Sequence, residues 1–429
     1  MKSLQIIGGA KIDGSIRLGG NKNAALPMLI ASVLTKEEII LHNMPRIVDV
    51  MNMLKIAEAL GVSVRWEEDT VILKGDGVSS SELPPDLCRK VRSSLMFAGP
   101  LTVRTGHAIL RQPGGDSIGR RRIDGHLYGL QKLGIRCSIP TPEHYDFAIE
   151  DALAGTEIFL DEASVTATEH ILLTAVLAKG NTTILNAACE PHVTQLARLL
   201  NAMGARISGM ESNILSIEGV PSLHGAEMEV DADHIEAASF LSLCGSAGGQ
   251  IELTGAFLPH TYWMTRRVFE RFSLPFQLMP GRITMKVTSP PKVINDVGNA
   301  IPVIADGTWP QFPSDMMSCM VIVATQAQGT SLFFEKLFES RLYFVDKLIA
   351  MGANAVICDP HRVVISGPAK LHGIEMSSPD IRAGMAMVLA ASCAEGTSLV
   401  RDAEMIYRGY GNLIQKLSAL GVTVRECET

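Results

Sequence analysis

Aromatic side chains are scarce. They make up 5% of a chain whose hydrophobic content is 47%, so the core it builds must be aliphatic and alanine-rich. An apolar run of membrane length is absent, and so is a signal-peptide pattern, which leaves a soluble cytoplasmic enzyme as the expectation. Positive charge is not in excess either. The formal net charge of −7 argues against a general binder of nucleic acid or membrane surface, while leaving room for a local basic pocket. Cysteine signals are missing too: none of Cys88, Cys137, Cys189, Cys244, Cys319, Cys358, Cys393 and Cys427 makes a CxxC pair or stands at zinc spacing with the eleven histidines. They read as reduced core or surface thiols.

What the chain does have is repetition. A helix-ending pair recurs as Leu60-Gly61, Leu133-Gly134, Met203-Gly204, Met351-Gly352 and Leu420-Gly421, with a worn copy at Phe272-Ser273. Successive copies lie 73, 70, 69, 79 and 69 residues apart. A second landmark keeps the same beat: Gly106, Gly180, Gly248, Gly329 and Gly396 each follow a small-residue, helix-like run and precede a β-rich stretch. Lys36 stands where its first copy falls. Two landmarks on one spacing define six units, and internal repetition constrains architecture before any single residue does.

The last unit shows the content of one. Met385, Met387, Val388 and Leu389 among alanines predict an apolar helix, stopped by Glu395-Gly396-Thr397. Ser398-Leu399-Val400 reads as a strand, Leu413, Leu417 and Leu420 as one face of a second helix, and Val422 and Val424 as a further strand. Each unit is therefore expected to run helix, strand, helix, strand, with helices too apolar to stand in water alone. The expected fold class is α+β, with six units grouped as two domains of three.

Against that regularity, four segments depart. Gly19-Gly20-Asn21-Lys22-Asn23 delivers a lysine and an asparagine just ahead of a helix, where N–H groups and the helix dipole favour anions. From Pro113 to His126 a glycine-punctuated loop carries Asp116, runs into Arg120-Arg121-Arg122, and ends with Asp124 and His126. Arginines there can grip phosphate or carboxylate with two hydrogen bonds. Phe312-Pro313-Ser314-Asp315-Met316 sets a lone carboxylate between a proline turn and an apolar helix. Arg341, Arg382 and Arg408 of the C-terminal half each follow a strand-like stretch or open a helix. Taken singly, each segment also fits an ordinary surface loop, helix cap or salt bridge. Together they point to polyanionic substrates, one carboxylate placed as base and another acid on a lid.

On those segments the sequence resembles the UDP-N-acetylglucosamine 1-carboxyvinyltransferases, the enolpyruvyl transferases that open peptidoglycan synthesis. The resemblance spans essentially the whole chain. It is most specific at Lys22 to Pro27, at Pro113-Gly114-Gly115 with Ile118-Gly119 and Arg121, at Phe312 to Met316, and at Arg408-Gly409-Tyr410. The sister family acting on shikimate 3-phosphate shares the fold but has different glycine and serine motifs near the first lysine.

The resemblance implies an inside-out α/β barrel arrangement in two domains: 22–229, with a catalytic lid at about 112–122, and 1–21 with 230–429. Asp231 to Glu236 is the second crossing, and a substrate cleft lies between the domains. It implies transfer of the enolpyruvyl group of phosphoenolpyruvate to the 3-hydroxyl of UDP-N-acetylglucosamine, by addition and elimination with release of phosphate. An acid and a base then work on opposite sides. Under this resemblance Asp116 is the lid acid, and Asp315 takes or steers the hydroxyl proton. Lys22, Arg121 and Arg408 hold the phosphate and carboxylate of phosphoenolpyruvate. Asn23, Asp124, His126, Ser164 and Val165 fall where the family contacts the nucleotide sugar. Arg92, Leu337, Arg341, Asp380 and Arg382 fall at other cleft positions. No metal or other cofactor is required, since lysine and arginines neutralise the phosphate. The partners are the two small-molecule substrates, with no nucleic acid and no membrane.

The chain also departs from the family. Asp116 replaces the usual lid cysteine, the thiol that fosfomycin alkylates; a carboxylic acid can deliver a proton but is a poor nucleophile towards an epoxide. The expectation is an active enzyme that fosfomycin does not inactivate covalently. Glu162 stands in place of a lysine, Thr166 of a glycine, Met96 of a tryptophan and His234 of an arginine. These changes leave the phosphoenolpyruvate half intact and keep a different acceptor open as an alternative. A non-catalytic nucleotide-sugar-binding homologue is a third reading, against which the joint presence of Lys22, Asp315 and Arg408 argues.

Overall fold

The computed structural model describes residues 2–114, 122–141 and 143–428. The chain divides into two compact units, one made of 1–19 with 232–429 and the other of 20–115 with 122–231. Each unit holds three copies of one motif, and each copy starts with a buried helix. These core helices are Lys22–Ile30 (α1), Ala98–Thr105 (α2), Val165–Ala175 (α3), His234–Ala247 (α4), Ser314–Gln326 (α5) and Ile381–Cys393 (α6).

Their sequences explain their place. In α6 every residue from Ile381 to Ser392 is buried, and a helix apolar on all sides must be surrounded by protein. In one unit α4, α5 and α6 pack against one another; in the other α2 and α3 do so, and α1 packs on the segment just before α2. Small residues let such helices approach closely at interior density. Four of the six start from a side chain that accepts a first-turn N–H: Asn21 for α1, Ser164 for α3, Asp233 for α4 and Asp380 for α6. Each cap is worth ~1 kcal/mol.

After the core helix come a strand, a second helix, and then two strands where the sequence predicts one. In the first copy these are Glu38–His42, Val48–Leu60, Ser63–Glu67 and Thr70–Lys74. The last of them inserts between the other two strands, antiparallel to both. Its hairpin turn lacks glycine: Glu68 itself takes φ 52, so the usual turn signal is missing. In the last copy the inserted strand is the chain's own beginning. Lys2–Ile7 lies between Thr397–Arg401 and Thr423–Glu428, antiparallel to both, out of reach of any contiguous reading.

The described residues form six sheets, three in each unit. Five have a fourth, parallel strand supplied by the neighbouring copy, as when Glu157–Phe159 pairs with Asn181–Leu185. Ala226–Glu229 pairs back to Glu38–His42 and closes its unit. The sheet of His107–Arg111 has three strands, with a parallel bridge from Glu82 to Ile109 in the fourth place. Strands such as Ile214–Glu218 alternate exposed and buried residues, so one face covers the helices and the other meets water. Helices inside and sheets outside make each unit an inside-out α/β barrel.

The landmark glycines end the second helix of each copy. Gly61, Gly134, Gly204, Gly352 and Gly421 all have φ between 88 and 106. Ser273 takes φ 58 in the same place, and its hydroxyl donates to the Lys292 carbonyl at 3.0 Å. The second set, Gly106, Gly180, Gly248, Gly329 and Gly396, also has positive φ, whereas Lys36 does not. Among the described residues no helix is long and apolar enough to cross a membrane.

Candidate active site

The motif brings chemistry to one recurrent place, the first turn of the core helix. Lys22, Val165 and His234 open α1, α3 and α4; Asp315 and Arg382 are the second residues of α5 and α6. Arg92 opens a 3₁₀ turn, Arg92–Phe97, that runs into α2. First-turn N–H groups lack helical partners and carry the positive end of the dipole, so these ends suit anions.

In the unit of residues 20–231, Lys22 Nζ lies 2.7 Å from Asp49 Oδ2, with side chains only 10% and 3% exposed. Removing one partner of such a buried pair costs about 3–5 kcal/mol. Asp49, in the first turn of Val48–Leu60, is a partner of Lys22 that the sequence does not flag, since the link exists only in the fold. Asn23 is half-buried beside Lys22. Arg92 donates to the Arg122 carbonyl at 3.2 Å, and Arg122 Nε to Asp124 Oδ2 at 2.9 Å. That bond to Asp124 holds the Arg122 guanidinium above its ordinary range, and the charges of Glu162 and Asp161 add to it. The reversed charge at Glu162 therefore has Arg122 as a counter-charge. Ser164 caps α3 through the Ala167 N–H at 3.4 Å. His126 is buried, its Nδ1 3.0 Å from His170 Nδ1 and its Nε2 3.1 Å from Thr166 Oγ1. Asp116 and Arg121 lie outside the described residues.

In the other unit the centre is Asp315. Arg341 Nη2 donates to its Oδ1 at 3.1 Å and Arg382 Nη2 to its Oδ2 at 2.9 Å. The carboxylate is 27% exposed while the two arginine side chains are 3% and 6% exposed, so two buried cations present one carboxylate at the surface. Arg382 is itself held: Asp380 Oδ1 accepts its N–H at 2.8 Å, and its Nη1 donates to Tyr410 Oη at 3.2 Å. Tyr410 Oη lies 2.8 Å from Ser239 Oγ, and burial pushes its phenol above the usual range. Arg408 caps the C-terminus of Ala403–Tyr407 and is half-buried. Leu337 contributes differently from its polar neighbours: its side chain is 45% exposed, and its N–H donates to the buried Asp306 at 3.4 Å.

A family model described as EPSP synthase (3-phosphoshikimate 1-carboxyvinyltransferase) matches residues 6–417. A UDP-N-acetylglucosamine 1-carboxyvinyltransferase of Treponema denticola is 48% identical over 420 residues, covering 98% of each chain. The protein of that name from Borreliella burgdorferi is 45% identical over 429 residues and the full length of both. The chain belongs to the UDP-N-acetylglucosamine 1-carboxyvinyltransferase family. It is an enolpyruvyl transferase by descent, and its fold agrees: the enolpyruvyl transferase NikO from Streptomyces tendae superposes with TM-score 0.90 at 22% identity, over 100% of this chain and 99% of that one.

Set beside the pattern of the UDP-N-acetylglucosamine 1-carboxyvinyltransferases, the substituted positions have distinct surroundings. Met96 is buried in the turn before α2. His234 packs edge-on to Trp309 at 6.4 Å, and burial lowers its pKa from 6.5, with Arg382 adding to the effect and Asp233 and Asp315 opposing it. Burial thus disfavours the charged form of the His234 ring near Asp315 and Arg382.

Proposed function

We propose that this chain transfers the enolpyruvyl group of phosphoenolpyruvate to the 3-hydroxyl of UDP-N-acetylglucosamine and releases phosphate, in the cytoplasm, as the first committed step of peptidoglycan synthesis. The observation that carries the reading is Asp315, a carboxylate aimed by two buried arginines at the start of a core helix. It accepts the proton of the sugar hydroxyl as the new C–O bond forms. Lys22, Arg121 and Arg408 hold the phosphate and carboxylate of phosphoenolpyruvate and offset the charge that develops in the transition state. Asp116 protonates the methylene carbon from the lid, which requires a carboxyl pKa above its ordinary ~3.9.

A second reading, a different nucleotide or sugar acceptor, is favoured by Glu162, Thr166 and Met96. The test is phosphate release from purified protein given phosphoenolpyruvate and UDP-N-acetylglucosamine. Release should depend on the sugar nucleotide and fall about 10²–10⁴-fold in Asp315→Ala, the usual range for a proton-transferring group. Turnover should survive millimolar fosfomycin with no mass adduct on the peptide carrying Asp116. An adduct with loss of activity sinks the lid assignment, and phosphoenolpyruvate binding without release moves the acceptor elsewhere.

A further inference from the structure

Four groups from three helices form one hydrogen-bonded line in the unit of residues 20–231. The Gly99 N–H, in the first turn of α2, donates to His170 Nε2 at 2.8 Å. His170 Nδ1 lies 3.0 Å from His126 Nδ1, and His126 Nε2 lies 3.1 Å from Thr166 Oγ1. His126 comes from the helix Asp124–Lys132, while His170 and Thr166 sit one turn apart on α3. The contact at Gly99 tolerates no side chain, because a Cβ there would stand 2.1 Å from Thr174 Oγ1 and 2.9 Å from His170 Nε2.

The line has only one consistent polarity. A backbone N–H cannot accept, so His170 Nε2 must, and its proton sits on Nδ1. That Nδ1–H donates to His126 Nδ1, which places the proton of His126 on Nε2, where it donates to Thr166 Oγ1. Charging either ring would set two N–H groups face to face. Both rings are buried, at 3% exposure for His126 and 0% for His170, and burial pushes His170 down to about 3, in keeping with a neutral pair. Thr166 is the half-exposed end of the line. Its oxygen already accepts from His126, and no described residue takes its hydroxyl proton.

We propose that His170 is a positioning residue for the acceptor substrate: by holding His126 in one neutral tautomer it fixes the Thr166 hydroxyl as a hydrogen-bond donor to a phosphate oxygen of a nucleoside diphosphate sugar. The proposal rests on the functional reading above and adds Thr166 and His170 to it. Thr166 stands in the first turn of α3, between the capping Ser164 and the buried interior, where the dipole already favours an anion. With His126 Nε2–H donating to its oxygen, the Thr166 hydroxyl proton must point away from that ring, and a phosphate oxygen, which can only accept, takes it. A substrate without an acceptor oxygen at that point leaves it unmet, and this discriminates between acceptors.

Two measurements test it on the full-length protein. Ring-nitrogen NMR of protein labelled with ¹⁵N-histidine, with His170→Asn for assignment, should show His170 protonated on Nδ1 and His126 on Nε2 at neutral pH. A doubly protonated His126, or one carrying its proton on Nδ1, overturns the proposal. Calorimetry and kinetics supply the second arm. Thr166→Val, which keeps the shape and removes the hydroxyl, should weaken UDP-N-acetylglucosamine binding and raise its KM ~10-fold. The KM for phosphoenolpyruvate and kcat should stay within about two-fold. His170→Leu should do the same, and His170→Asn, whose amide both accepts and donates, should recover most of the loss. Unchanged binding in Thr166→Val, or a loss shared equally by both substrates, defeats the positioning role while leaving the functional reading standing. A wild-type protein that binds no UDP-sugar defeats both.

Discussion

Glu335 is a fully buried acid that the proposed reaction does not use. It accepts hydrogen bonds from Ser314 Oγ at 2.8 and 2.9 Å and from the Phe338 N–H at 3.2 Å. Burial first, then a hydrogen bond and the charge of Asp306, push its pKa to about 8. Asp306 is equally buried and accepts the Lys336 and Leu337 N–H groups. The proton that Glu335 keeps beside Asp306 steadies the turn that leads to Arg341, and so to Asp315. Because the folded chain keeps a proton that the unfolded chain gives up, this contribution is complete below about pH 4.5. It is lost as pH rises towards 8, at no more than ~1.4 kcal/mol per pH unit. Glu335→Gln cannot ionise, so its melting temperature should fall less between pH 6 and 9 than that of the wild type. Parallel pH profiles would refute the raised pKa of Glu335. None of this is legible locally, because the two acids are 29 positions apart and face each other only across a sheet.

The landmark glycines belong to the scale of the element, and two of them separate conformation from space. Gly61 has φ +105, and a Cβ there would lie 2.2 Å from the Gly77 carbonyl oxygen. Gly106 has φ +83 with nothing within 4 Å. Alanine at Gly106 should cost only the left-handed strain, about 1–2 kcal/mol. At Gly61 the same strain is joined by a clash with backbone, so denaturant unfolding should show at least twice that loss. Equal losses would mean that the Gly77 segment yields freely. Ser273 shows how the pattern wears: the left-handed turn survives without glycine. Helix ends were legible because glycine is the residue that takes the left-handed turn without a steric penalty. The inserted hairpin strand of the first copy was not, since Glu68 occupies a turn that glycine or asparagine usually announces.

For the whole molecule, the first strand is structurally the last. Lys2–Ile7 fills the middle of the sixth copy's sheet, so deleting residues 1–8 leaves Thr397–Arg401 and Thr423–Glu428 without their shared partner. Amide exchange in those two strands should rise by orders of magnitude, while protection of α1 to α3 in the other unit should hold. Loss of protection throughout both units would show that the two fold as one cooperative body.

The sequence by itself determined the six-fold repeat, the α+β class and the apolar core helices with their glycine endings. Those features are local: a cap, a helical face or a glycine turn acts within a few residues, so its signal is written contiguously. Only the tertiary structure decided that Asp49 pairs with Lys22, that Arg341 and Arg382 share Asp315, and that Gly99, His170, His126 and Thr166 form one line. Those contacts join different copies or different helices of a unit, and their energy comes from burial and directed hydrogen bonds that exist only once the helices have packed.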